Sequence, residues 1–178
     1  MAENLTKRTL ADALKVLMAT RPLSGITIGE ICAHCQMNRK SFYYHFRDKY
    51  DLVTWIFSTD FFDAYLPEQP ASADTLLSLC RFLEQNKAFY RAALRVDGQN
   101  SFRDYLKDVL RPVLSERLLP AEPTDFCLSM CVSAYCSALT QWVLDGCPLP
   151  ADVYVQQLYQ AVRLMSATVP TEKKLSTV

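Results

Sequence analysis

The sequence predicts an all-α fold. Apolar residues recur at helical spacing along most of the chain, only four glycines interrupt its 178 residues, and capping residues stand where the periodic runs begin. Half of the residues are apolar and 21% are charged, enough for a buried core and unlike a disordered chain. The first helix carries Leu10, Ala13, Leu14, Leu17 and Met18 on one face and ends by Pro22 and Gly25.

The next three helix starts are legible from their caps. Thr27 followed by Glu30 forms a capping-box pattern, with Ile26 and Ile31 spaced as a hydrophobic staple; this helix runs from about 28 to about 34. Asn38 caps a helix over about 39–45, with Met37 and Phe42 as a second staple. Asp48 caps the one that follows, which stays apolar and aromatic through Tyr65. A longer helix followed by two short ones across a tight turn is a helix-turn-helix unit. Later helical patterns open at Leu76 and cover about 87–95, 101–119 (with a kink at Pro112), 125–145 and 152–168; the tail from Pro170 is expected to fray. The division expected is 1–47 for the helix-turn-helix unit and 48–178 for a helical regulatory and dimerisation domain.

Charge is unevenly spread. Residues 1–50 hold eight Lys/Arg against four Asp/Glu (+4), and the remainder holds eleven against fifteen (−4). A basic head on an acidic body points toward nucleic acid. The segment 36–52, QMNRKSFYYHFRDKYDL, gathers five basic side chains, counting His45, with three tyrosines and two phenylalanines. With Met37, Phe42 and Phe46 turned inward, Arg39, Lys40, Tyr43 and Tyr44 face outward and His45 ends the helix. Arg and Lys can donate to guanine O6 and N7, and aromatic rings can meet a thymine methyl. Tyrosine hydroxyls, His45 and Lys49 can hold phosphates.

ITIGEICAHCQMNRKSFYYHFRDKYDL resembles the DNA-binding domain of the TetR family of bacterial transcription regulators. The match rests on Thr27, Ile31, Asn38, Phe42–Phe46, Lys49 and Leu52. NRKSFYYHFRDKYDL is also similar to a branch related to a dihydroxyacetone kinase operon regulator. The resemblance implies a repressor or activator that binds double-stranded DNA as a homodimer. Thr27, Tyr43, His45 and Lys49 would hold the backbone; Arg39, Lys40, Ser41 and Tyr44, on the helix capped by Asn38, would face base edges or the adjacent backbone. Two departures stand out. Gln36 occupies a turn position where glycine is common in the family, and Lys40 a position where small residues are common.

The resemblance further implies a pocket for a small-molecule effector, or a protein co-regulator in its place. Trp55, Phe62, Phe82, Phe89, Tyr90, Phe102 and Tyr105 are its candidate lining, although aromatic stripes at helical spacing more often form plain core. The helix over 125–145 is apolar or small almost all round, and the helix after it carries an apolar stripe. Met130, Ala134, Ala138, Trp142, Val155, Leu158, Tyr159 and Val162 are therefore the expected dimer contacts.

Cys32 and Cys35 raise a rival reading, a thiol-redox or metal-binding protein. A zinc site needs about four ligands, and His34 and His45 are the only histidines in the chain. Small packing residues are the better reading, and neither metal nor cofactor is expected. No Ser-His-Asp set, P-loop or glycine-rich phosphate turn occurs, so no enzyme is expected. The start, MAENLTKRTLADALK, lacks signal-peptide design, and no apolar run reaches the roughly 18–20 residues of a membrane span. A cytoplasmic protein with no membrane partner is expected, its seven cysteines reduced.

Overall fold

Helix α1 (Ala2–Met18) buries Leu10, Ala13, Leu14 and Met18, the face expected from spacing. The computed structural model describes residues 2–70, 73–96, 101–117 and 124–168. Among them the chain forms nine α-helices and no strand; the tail expected to fray from Pro170 lies outside the described residues. Helices α2 (Ile28–His34) and α3 (Arg39–His45) follow, then α4 (Lys49–Phe57) and a π-helical segment Ser58–Tyr65. The rest comprises α5 (Thr75–Gln85), α6 (Lys87–Leu94), α7 (Phe102–Arg117, running through Pro112), α8 (Asp125–Leu144) and α9 (Ala151–Thr168).

Side chains fix the helix starts. Thr27 and Glu30 make both halves of the capping box; Asn38 Oδ1 accepts from the Ser41 N–H at 2.8 Å. Asp48 Oδ1 accepts from the N–H groups of Tyr50 and Asp51, each at 2.8 Å. Between α2 and α3 the Met37 N–H reaches the Cys32 carbonyl (2.8 Å) and the Gln36 N–H the Ala33 carbonyl (3.2 Å). This Schellman closure needs a left-handed residue, and Gln36 supplies it at φ 56°. Gln36→Gly is therefore expected to raise stability by about 0.5–1 kcal/mol, after glycine's extra unfolded-state entropy is discounted. Denaturant melts check it; a destabilised variant would contradict the strain.

The helix expected to run on to Tyr65 changes its winding after Phe57. In i→i+5 winding, residues i+4 and i+5 fall on either side of i. Phe61 and Phe62 accordingly both approach Phe57, at 5.2 and 5.9 Å between ring centroids. Phe82, Tyr90, Phe102 and Tyr105 complete a shell around Phe57 at 5.4–5.8 Å. Phe82 and Phe102 are thus buried core, a correction to the expectation that they line a ligand pocket, whereas Tyr90, though buried, borders open space on its far side. The rings fill the space by packing on one another. Phe62 and Tyr105, also expected in that lining, pack into the same shell from its edge.

Open space lies instead where α1 meets the body. A cleft of about 380 Å³ runs between α1 and α6, lined by Met18, Asn86, Phe89 and Tyr90 among others; a second, of about 280 Å³, lies beside Trp55. Lys15 and Asp60, an ion pair at 2.6 Å, border both and tie α1 to the π segment.

Helix α8 packs against α7 with Val132, Tyr135, Cys136, Leu139 and Val143 buried. An 18-residue stretch of it has a mean hydropathy of 1.3, so by length and composition alone it matches a membrane-spanning helix, although no unbroken apolar run of that length occurs and one side packs on α7. The interspersed Ser, Thr, Ala and Cys hide that length from a search for unbroken apolar runs.

The expected dimer contacts divide in two. Trp142 is buried within the protomer, stacked on Tyr154 at 4.6 Å, with its Nε1–H donating to the Leu149 carbonyl at 3.0 Å. Val155 is buried, and Leu158, Tyr159 and Val162 pack against the core as α9 lies on α5. The Tyr159 hydroxyl donates to Asp74, the cap of α5. Trp142 and Val155 therefore face their own chain, a correction to the sequence expectation, whereas Leu158, Tyr159 and Val162 are half-buried. The outer face holds other residues: Phe126 (79% exposed), Met130 (52%), Ala134 and Ser137 on α8, and Val153, Ala161 and Leu164 (69%) on α9. Ala138 sits half-buried at the margin of that face.

Candidate nucleic-acid interface

Helix α3 is short, and its two sides differ sharply. Phe42 and Phe46 are buried, and Phe46 meets Trp55 of α4 at 5.9 Å, so the back of the helix is fixed in the core. The front presents Arg39, Lys40, Tyr43 (58% exposed) and Tyr44 (81%). His45 is half-buried, its ring edge-on to Tyr44 at 4.8 Å. Ser41 is half-buried, and its hydroxyl lies 3.2 Å from Asn38 Oδ1. The structure thus brings cations, phenols and an imidazole onto one outward surface over two turns of helix.

Two of the expected backbone-holding residues have other work. Thr27 is exposed, but its hydroxyl and its N–H both donate to Glu30 Oε2 at 2.8 Å. Lys49 differs most from expectation. Its ammonium donates to the carbonyls of Leu23 (2.7 Å), Ser24 (3.2 Å) and Ile26 (2.8 Å), closing the turn between α1 and α2 onto the start of α4. Burial lowers its pKa, and Glu30 acts in the opposite sense. Three N–H donors on three carbonyls leave Lys49 as an internal clasp, a correction to its expected role as an outward phosphate ligand. Lys49→Met should therefore lower stability by about 2 kcal/mol through loss of charge-assisted hydrogen bonds. The slope of log K against log salt for DNA should stay unchanged. A flattened slope with unaltered stability would restore the outward role.

Glu30 is the electrostatic centre of this turn. The Thr27 N–H, the Arg21 guanidinium (2.7 Å) and the Thr27 hydroxyl hold its carboxyl down, from 4.5 to about 2. A depressed carboxylate pKa contributes stability that is present above the unfolded value and lost as pH falls through the folded value. Wild type should accordingly lose stability relative to Glu30→Gln between about pH 4.5 and pH 2. A difference between the two that stays constant across that window would contradict it.

The thiols behave as packing groups. Cys32 is buried, which raises its pKa, and Cys35 Sγ donates to the Ile31 carbonyl at 3.3 Å. A raised thiol pKa opposes nucleophilic chemistry, so the geometry counts against the rival redox reading. Gly29 went unnoticed in the sequence. A Cβ placed there would lie 2.5 Å from Arg39 Nη2 and 3.1 Å from Nε.

Comparisons with known proteins agree with this geometry. The family described as bacterial regulatory proteins, tetR family, matches residues 10–54, and one described as a transcriptional regulator C-terminal region matches 72–164. The HTH-type dhaKLM operon transcriptional activator DhaS of Lactococcus lactis subsp. lactis (strain IL1403) is 28% identical over 95 residues, 52% of this chain and 51% of that protein. The chain thus matches about half the length of this curated relative. A solved structure, dihydroxyacetone kinase operon activator DhaS, shares the fold at a TM-score of 0.61 and 22% identity, over 89% of this chain and 97% of that one. With a helix-turn-helix head and a helical body both matched by family, this chain belongs to the TetR family of bacterial transcription regulators, DNA-binding proteins and not enzymes.

Proposed function

We propose that this regulator works as a homodimer that sets two α3 helices on the half-sites of a near-palindromic operator. Residues 1–47 are the reading head, and 48–178 form the regulatory and dimerising body. The outward set Arg39, Lys40, Tyr43 and Tyr44, on a helix whose back is fixed in the core, is the observation that carries this reading. Arg39 and Lys40 read base edges; Ser41 and Tyr44 face bases or the adjacent backbone; Tyr43 and His45 hold phosphates. Thr27 and Asn38 contribute by capping the two helices that meet the duplex. The likeness to proteins named as operon activators supports activation as the sign of regulation.

Dimerisation uses the exposed face of α8 with Val153, Ala161 and Leu164 of α9. Among the residues first expected there, Met130, Ala134 and Ala138 stay in the interface. The signal enters the body and tilts α4, changing the separation of the two reading helices. The ring-filled core around Phe57 favours a protein co-regulator over a small-molecule effector buried among those rings.

Sequencing genomic fragments retained by the protein tests this reading. They should share a near-palindrome with half-site centres about 34–36 Å apart, or a multiple of it. Footprints should be symmetric about its centre. Retained fragments without a common sequence, or protection of one half-site alone, would overturn it.

A further inference from the structure

Gly29 stands in the first turn of α2, half-buried, where glycine is a poor choice by every local criterion. The residue is helical and its φ lies outside the left-handed region, so the backbone does not require glycine. Inside a helix, glycine is the least favourable ordinary residue after proline. The compensation lies across the α2–α3 crossing, in the Arg39 side chain. Its Nη2, Nε and Cζ atoms would stand 2.5, 3.1 and 3.2 Å from a Cβ at residue 29. The Nε–Nη2 edge of the guanidinium therefore stands against the Gly29 position, in space that a Cβ would fill. Its charge is also felt at Cys32, one turn further along α2, so the side chain runs back over that helix. The neighbouring Lys40 is exposed.

We infer that Gly29 is a specificity-determining position: it seats the Arg39 guanidinium against α2 and so fixes the direction in which Arg39 presents its donors to DNA. This rests on the reading of Arg39 as a base-contacting residue. Arginine reads guanine through a planar fork whose two parallel bonds need a set orientation. A side chain held in one rotamer before binding loses less freedom when it binds. A methyl group at residue 29 removes the seat while leaving every charge in place.

The test compares Gly29→Ala, Arg39→Ala and the double variant with wild type. The probe is a DNA fragment selected from a random pool by wild-type protein, together with its single-base variants. Arg39→Ala should reduce discrimination at one position per half-site by on the order of 5- to 100-fold. Gly29→Ala should reproduce most of that loss, and the double variant should add little to either. Because its charge is intact, Gly29→Ala should keep wild-type affinity for random-sequence DNA and the wild-type salt slope, which a merely structural lesion would disturb. Alanine is the better helix former, so a folded protein is expected; a thermal melt verifies it. If Gly29→Ala fails to fold, Gly29→Ser tests the same seat: its Cβ fills the same space with every charge unchanged, so discrimination should fall while Arg39 itself stays intact. Loss of discrimination in Arg39→Ala with none in Gly29→Ala would overturn the inference. No change in Arg39→Ala would instead overturn the base-reading role on which it rests.

Discussion

Met130→Glu combined with Ala134→Glu is expected to yield a folded monomer whose operator affinity falls by about 10²–10⁴-fold, the gain that two linked half-site contacts provide. Both residues lie on the outer face of α8, where Phe126 is 79% exposed and Met130 52%. Acidic groups on that face stay hydrated in a monomer, so folding is spared. In a dimer they would be desolvated opposite their own two-fold copies, and like charges brought together without partners are costly. The pair Leu158→Glu and Val162→Glu is the informative contrast. These residues pack toward the core where α9 lies on α5, so their exchange should cost stability before it costs assembly. Sedimentation, circular dichroism and operator titration separate the two effects. A Met130/Ala134 variant that stays dimeric would place the interface elsewhere, and a wild-type protein monomeric at micromolar concentration would remove it.

Phe57→Ala should destabilise the body by about 3–5 kcal/mol, enough to unfold a domain of ordinary stability. Its ring is fully buried and meets six other rings within 6 Å, at centroid distances of 5.2–5.9 Å. No single neighbour can move into the vacated space without giving up contacts of its own. Phe62, one of those neighbours, is 37% exposed, and Phe62→Ala should cost far less, about 1 kcal/mol. Equal costs in denaturant melts would show that Phe57 is not the centre of the cluster.

The helix starts of the helix-turn-helix unit were legible because their information is local. Thr27, Asn38 and Asp48 act on N–H groups two or three residues away, so spacing alone located three helix starts. Gln36 takes the positive φ at a position where the family commonly has glycine. The body was legible as helices but not as contacts. A helix apolar on most sides, such as α8, does not say which side meets its own chain. Trp142 and Val155 were therefore expected at an interface and lie in the core instead.

The sequence by itself determined the helical class, the caps, the helix-turn-helix unit and the outward basic-aromatic face of α3, because each follows from residues within one or two turns of one another. Only the tertiary structure decided the rest: Lys49 turned inward onto three carbonyls, Arg39 seated on Gly29, and Phe57 surrounded by rings. Lys49 and Leu23 stand 26 residues apart, and Phe57 meets rings from α5, α6 and α7. Such contacts depend on where separate helices cross, a property of packing in three dimensions that no periodicity along one helix encodes.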